Sequence, residues 1–364
     1  MSGATVGATK TSPSAGQVEL LLSLYREMQL IRRTEEMLMA EYHPADQMRC
    51  PIHFCVGQEA TPAALALLMR PDDVIMCHHR SHGYYLAKRA PLDAMVAEFY
   101  GKATGANGGL AGSQELSHEG ARFYSGTILS GMFAIAAGDA FAARYNKDGR
   151  MAVGVIGDGG FEEGIVFETI NFAVRFDLPL LFICENNLFS AHSHIDVRST
   201  SRRTAERAAG FGIRTLEVDG NDPLELHAQL SQLVPGIRAG KGPVFVEVVT
   251  YRTCGHVGPE DDDHLGYRTP EELLKWKQRD PVAYAERALL ADGVPQAQLR
   301  AITVDIEKQV AAAIAAAQTA PAPTFESALA ANLTGRYDSV VTSLTDGLAS
   351  QFDSHQQETK LKPY

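Results

Sequence analysis

Cysteine is scarce and scattered in this chain: Cys50, Cys55, Cys77, Cys184 and Cys254 are odd in number, and no two form a Cys-x-x-Cys pair. That excludes a disulfide framework and a cysteine-built structural zinc site, and reduced thiols in a cytoplasm are expected. Basic charge is also short. The 33 Lys and Arg against 44 Asp and Glu leave a net charge of -11 with no Lys/Arg block, so no nucleic-acid partner is expected. Long apolar runs are missing too. Stretches such as Leu178–Cys184 fall far below the roughly 20 residues of a membrane helix, so no membrane span is expected. Residues 1–16 carry neither a continuous apolar segment nor an Arg-rich amphipathic pattern, so they read as a loose tail without a targeting signal. The remaining balance, 45% apolar and 21% charged over 364 residues, is that of a soluble globular chain.

Periodicity organises what is present. Glu19–Tyr42 has amphipathic helical spacing, and a second helix over Ala60–Met69 stops at Arg70-Pro71-Asp72-Asp73. Val74–Met76 reads as a short strand running into His78-His79-Arg80-Ser81-His82-Gly83. Eight glycines between Gly101 and Gly131 predict a folded loop around a ligand. A helix over Met132–Tyr145 precedes the apolar strand Met151–Ile156, which ends at Gly157-Asp158-Gly159-Gly160. Phe161, Ile165, Phe172 and Phe176 fall on one face of the following helix. The strand Leu180–Cys184 then delivers Glu185-Asn186-Asn187. Two parallel strands joined by a helix should bring Asp158 and Asn187 together although they lie 29 positions apart.

Further strands at Thr215–Val218 and Val244–Thr250 flank a helix around Leu224–Val234, and helices follow at Glu271–Lys277, Pro281–Ala291 and Ile306–Ala317. The expected fold is α/β, a doubly wound and mainly parallel sheet flanked by helices, with a helical C-terminal region. Residues 17–325 would form one such domain, and 326–364 a C-terminal segment available for partner docking.

Magnesium prefers hard oxygens in an octahedral shell and commonly joins one or two protein oxygens to phosphate oxygens. Asp158 and Asn187 supply such a pair, while Gly157, Gly159 and Gly160 clear side chains from a backbone that must approach a diphosphate. The helix after the turn would aim its N-terminal amides at the same group. Gly-Asp-Gly alone is common in ordinary turns. Here Gly157-Asp158-Gly159, the 26 residues from Gly160 to Glu185 and then Asn186-Asn187, with an apolar strand leading into each end, resemble the thiamine diphosphate-binding fingerprint.

The resemblance extends from about Glu19 to Pro281 and is to the α subunit of the first component of two-component 2-oxo acid dehydrogenases. Gly57-Gln58-Glu59-Ala60 is similar to that family's early block. His79-Arg80-Ser81-His82-Gly83 resembles its Tyr-Arg-x-His-Gly segment, and Tyr251-Arg252-Thr253-Cys254-Gly255-His256 its Tyr-Arg-x-x-Gly-His loop. Tyr267 to Glu272, Trp276 and Asp280-Pro281 look like the continuation. The resemblance implies a thiamine diphosphate-binding fold, with magnesium held by Asp158, Asn187 and the carbonyl of Phe189. It further implies the diphosphate near Arg80, Gly159 and their neighbours His79, Gly157 and Gly160, and a bent cofactor resting on Ile128 or Leu129. His256 would face cofactor and substrate as the catalytic residue. The glutamate that activates the cofactor would come from a separate β subunit, in an assembly of two α and two β chains. The reaction implied is oxidative decarboxylation of a 2-oxo acid with acyl transfer to a lipoyl-bearing acyltransferase.

This chain departs from the family pattern at several points. His79 stands in the Tyr position, Glu162-Glu163 where Asn-Gln is frequent, and Val257 where mammalian enzymes carry a phosphorylatable Ser, which excludes that regulation. Acetoin cleavage, a lipoyl-independent carboligation or decarboxylation, and a non-catalytic cofactor-binding subunit therefore stay open beside the dehydrogenase reading. Plainer readings also stand. Arg80 could make a surface ion pair, His78, His79, His82, His192 and His194 are polar loop residues before they are zinc ligands, Cys254 is an inert thiol, and Glu260–Asp263 is a solvated loop.

Overall fold

The computed structural model describes residues 15–45, 47–48, 50–325 and 327–328. Its strands are β1 Val74–Cys77, β2 Ser117–His118, β3 Phe123–Ser125, β4 Ala152–Gly157, β5 Leu180–Asn186, β6 Phe189–Ser190, β7 Ser193–His194, β8 Arg214–Asp219 and β9 Val244–Val249. Seven of them form one sheet in the order β2-β3-β1-β4-β5-β9-β8, parallel throughout except where β2 meets β3, and β6 pairs with β7 as a separate antiparallel hairpin.

Every residue of β5 is buried, as expected of a central parallel strand covered on both faces. Alternation along the strands divides the core in two. Val153, Val155, Leu181, Ile183, Val246 and Val248 join the cluster formed with helices Ala15–Ala45, Ala60–Leu68, Pro223–Arg238 and Gln296–Thr319. Ala152, Ile156, Leu180, Phe182, Cys184 and Phe245 join that of helices Gly131–Asn146, Gly164–Arg175 and Thr204–Ala209. The doubly wound, mainly parallel architecture is thus present, and the C-terminal region is helical. Among the described residues no helix is long and apolar enough to cross a membrane. The expected C-terminal docking segment, apart from 327–328, and residues 1–14 of the expected tail lie outside the described residues.

Four local features differ from, or add to, what the sequence predicts. The helix expected from Ile306 starts instead at Gln296, directly after Pro295, and its early turns bury Leu299 and Ile302 in register with Ile306. The β6–β7 hairpin has no sequence signal of its own. The first part of the glycine-rich stretch folds around the protein's own Glu98, while Leu129 near its end lines the cavity described below. Glu98 Oε2 accepts from the N–H of Asn107 and Gly109 and Oε1 from Ala111 and Gly112, all at 2.7–2.9 Å. Such a carboxylate, 1% exposed, is affordable only because four amides replace its water.

The fourth feature is the helix after the Gly-Asp-Gly turn. It runs from Gly164 to Arg175 and buries Val166, Thr169, Ile170 and Ala173. Phe161 is buried in the preceding 3-10 turn, but Ile165, Phe172 and Phe176 stay 39%, 39% and 40% exposed. The predicted apolar stripe therefore looks outward, where Phe172 and Phe176 meet Phe141 of the neighbouring helix.

Candidate active site

Parallel strands β1, β4, β5 and β9 end on one edge of the sheet, and the residues that follow them line a single cavity of about 200 Å³. His78, His79 and Arg80 come from beyond β1, Asp158 to Gly160 from β4, Asn187 from β5, and Arg252 and His256 from the loop after β9. Leu129, Phe189, Ser190 and Ala191 complete its wall. Open α/β sheets place sites at this edge because only there do loops from neighbouring strands converge.

Gly157 pairs with Glu185 across β4 and β5, so Asp158 and Asn187 leave adjacent strands at nearly the same level. Asp158 is 1% exposed, and the Asn187 backbone N–H donates to its carboxylate. Burial raises its pKa, and an ion pair with Arg198 opposes that rise. The Asn187 amide is set by two neighbours. Its Nδ2 donates to Gln58 Oε1 at 3.3 Å, and its Oδ1 accepts from the Phe189 N–H at 3.0 Å, which leaves that oxygen a second lone pair. Gln58 is fixed in turn by donating to Glu185 Oε2 at 3.2 Å. A Cβ on Gly159 would stand 2.4 Å from Ser190 Oγ, so glycine is required there by the β6 hairpin itself. Gly157 instead opens into the cavity, with nothing nearer to a Cβ than 3.9 Å. The α-helix begins only at Gly164, after a 3-10 turn over Gly160–Glu162, so the amides beside the glycines belong to that turn and not to a helix N-terminus.

Arg80 is 4% exposed, and its Nη1 donates to the Phe54 carbonyl and its Nη2 to the His256 carbonyl at 3.0 Å. It makes no salt bridge among the described residues, which replaces the surface ion-pair reading with a buried cation left without a counter-ion. Burial, followed by the charge of Arg252, pushes its pKa down to about 10. His53, His79 and His256 offer ring nitrogens within 4.8 Å of one another. Burial is the first cause that holds all three imidazoles below their ordinary range, His256 at about 3, with Arg80 adding to it in each case. Arg252 Nη1 donates to His256 Nδ1 at 3.0 Å, which leaves the proton of the neutral ring on Nε2. The two guanidinium charges beside these neutral imidazoles oppose cation binding. This end of the cavity suits an anion, and the carboxylate and amide oxygens at Asp158 and Asn187 suit a hard cation.

Leu129 lines the cavity, whereas Ile128 is 74% exposed outside its wall. The acidic run is solvated at Glu260 and Asp261, but Asp262 and Asp263 turn inward. Asp262 accepts from the His256 backbone N–H at 2.7 Å and from Tyr267 Oη at 2.5 Å, and Asp263 pairs with Arg268 at 2.7 Å, so both brace the loop that carries His256. His82 is also more than a polar loop residue. It bridges Glu35 at 2.7 Å and Ser113 at 2.8 Å, an array shaped like a nucleophile, base and acid but fully sealed from solvent, and therefore structural. Cys254 is buried with its thiol pKa raised by burial, in keeping with an inert thiol.

His53, His78, Gln58, Arg252 and Arg198 were not singled out as site residues from sequence. Gln58 and Arg252 stand inside the quoted motifs and were legible there. His53 carries no pattern, and Arg198 is one of several arginines in a polar stretch.

The model of the family described as dehydrogenase E1 component matches residues 26–326. The pyruvate dehydrogenase E1 component subunit alpha of Zymomonas mobilis is 35% identical over 322 residues, covering 88% of this chain and 90% of the relative. The protein of the same name from Rhizobium meliloti is 31% identical over 305 residues, 83% of this chain and 86% of the relative. A testis-specific mitochondrial form from Rattus norvegicus is 32% identical over 311 residues, 85% of this chain and 78% of the relative.

Proposed function

This chain belongs to the dehydrogenase E1 component family, and from that premise we propose that it is the α subunit of a thiamine diphosphate- and magnesium-dependent 2-oxo acid dehydrogenase. The observation that carries the reading is the convergence of buried Asp158 and Asn187 opposite the unpaired Arg80 on one cavity. Oxygen donors and an uncompensated cation on the same cavity match a metal-bound diphosphate in charge.

Asp158, the Asn187 amide oxygen and the Phe189 carbonyl would hold magnesium. Arg80, His79 and the Gly157–Gly160 turn would receive the diphosphate, and Leu129 would support the bent cofactor. Bound there, thiamine diphosphate supplies a carbon nucleophile and an electron sink for loss of carbon dioxide. His256 Nε2–H is available to donate to a substrate oxygen, and Arg252 holds the ring so that this proton points away from the guanidinium. The low basicity of His256 suits a hydrogen-bond donor that keeps its proton at neutral pH.

The substrate to assay first is pyruvate, with a lipoyl-bearing acyltransferase as acceptor, because the relatives are pyruvate dehydrogenase subunits. A β subunit completes the cofactor site, in an assembly of two α and two β chains within the cytoplasm. The outward-facing Ile165, Phe172 and Phe176, on the helix that follows the Gly-Asp-Gly turn, support such a partner.

Calorimetric titration of thiamine diphosphate with magnesium into the chain co-purified with its β subunit tests the assignment. Saturable binding that chelator removes is expected, together with its loss in Asp158→Ala. Stoichiometric binding retained by Asp158→Ala would overturn it.

A further inference from the structure

Arg198 ends the four-residue turn Ile195–Arg198 and reaches back to the candidate metal ligand. Its Nη2 pairs with Asp158 Oδ2, its Nη1 lies 2.9 Å from Glu162 Oε1, and its Nε donates to the Ser193 carbonyl at 3.0 Å. The side chain is 12% exposed, Asp158 1% and Glu162 26%. Asp158 lines the cavity and Arg198 does not. Glu162, the second carboxylate that Arg198 meets, stands at one of the positions where the sequence departs from the family pattern.

We propose that Arg198 is a displaceable counter-cation for Asp158, with Glu162 as the acceptor that retains it when a divalent cation binds. The inference rests on the reading of Asp158 as a cation ligand. Asp158 is as buried as Glu98 but lacks a cradle of four amides, and without metal the guanidinium supplies the missing compensation. A divalent cation arriving from the cavity shares that single carboxylate with a like charge, and the two repel across it. Arg198 yields at Asp158 while its second arm and its Nε stay anchored at Glu162 and Ser193. The chain therefore binds its metal against an internal competitor, which lowers affinity and keeps Asp158 neutralised until the cation arrives.

Mn²⁺ binding by the full chain with its β subunit, followed through the electron paramagnetic resonance of free Mn²⁺, tests this without reference to turnover. Arg198→Met is expected to bind Mn²⁺ about tenfold more tightly than the unmodified chain. Glu162→Gln, which removes the retaining acceptor, is expected to bind about tenfold more weakly, and that loss should largely vanish in the Arg198→Met background. A larger Mn²⁺-induced rise in Tm for Arg198→Met than for the unmodified chain gives the same answer even where the variant is less stable. Equal or weaker Mn²⁺ binding by Arg198→Met, with Asp158→Asn abolishing binding, would overturn the competitor role and leave Arg198 as a brace. Mn²⁺ binding that survives Asp158→Asn would instead overturn the ligand reading beneath it.

Discussion

His256 is a neutral imidazole in the folded chain because it is buried and stands beside Arg80 and Arg252, and protonation would add a third positive charge to that corner. The same feature makes stability depend on pH. In the unfolded chain the ring titrates near its ordinary value of about 6.5, but in the folded chain only at about 3. Within that window the unfolded state takes up a proton that the folded state refuses, so stability falls as pH drops from about 6.5 towards 3. His53, depressed for the same first reason, adds to the slope. Thermal melts across that range should show Tm falling with acidity, and His256→Asn should flatten the dependence. A variant with the unmodified slope would mean that the imidazole is already free to protonate. Full burial of Arg80 without a salt bridge could not be read from its neighbours in sequence, since any arginine beside loop histidines predicts an exposed one.

Asp158 and Asn187 were legible through their elements, because an apolar strand, a helix and a second apolar strand leave few ways to fold other than as parallel neighbours. The contact that tightens this corner was not legible, since it comes from the β6–β7 hairpin, whose two-residue strands lie below any periodic signal. Ser190 of β6 presses on Gly159 so closely that Gly159→Ala should cost roughly 1–3 kcal/mol. Urea unfolding should register the loss and its recovery in the Gly159→Ala, Ser190→Gly double variant. Failure of the second change to restore stability would assign the glycine's importance to the cavity instead of the hairpin. A related distinction holds for the helix after the turn. A period of 3.6 names a face, but it does not say whether the sheet or another chain will cover it.

Several long-range ties hold the molecule together, and none has a local signature. Arg32 joins Glu59 of the Gly-Gln-Glu-Ala block at 2.6 Å to Asp280 at 2.7 Å, 248 positions away, which gives two of the quoted motifs a structural task. At this scale the exposed Ile165, Phe172 and Phe176 also acquire meaning, for the same pair of helices exposes Ile135 and Tyr145. Phe172→Asp should leave the chain's own unfolding free energy within about 1 kcal/mol, as an outward position allows. It should also weaken association with the β subunit, measured by sedimentation of the mixed chains. Undiminished association would place the partner on another face. The sequence by itself determined the order of the longer strands β1, β4, β5, β8 and β9 and of the helices between them, and the meeting of Asp158 and Asn187 at one sheet edge, because alternation, glycine turns and parallel crossovers are local or nearly local rules. Tertiary structure alone decided that Leu129 and not Ile128 faces the cavity, that Glu98 claims the glycine-rich loop, that Asp262 braces His256, and that Arg198 neutralises Asp158. Each of these depends on which distant group supplies a missing charge, hydrogen bond or covering surface, and no spacing along the chain encodes that.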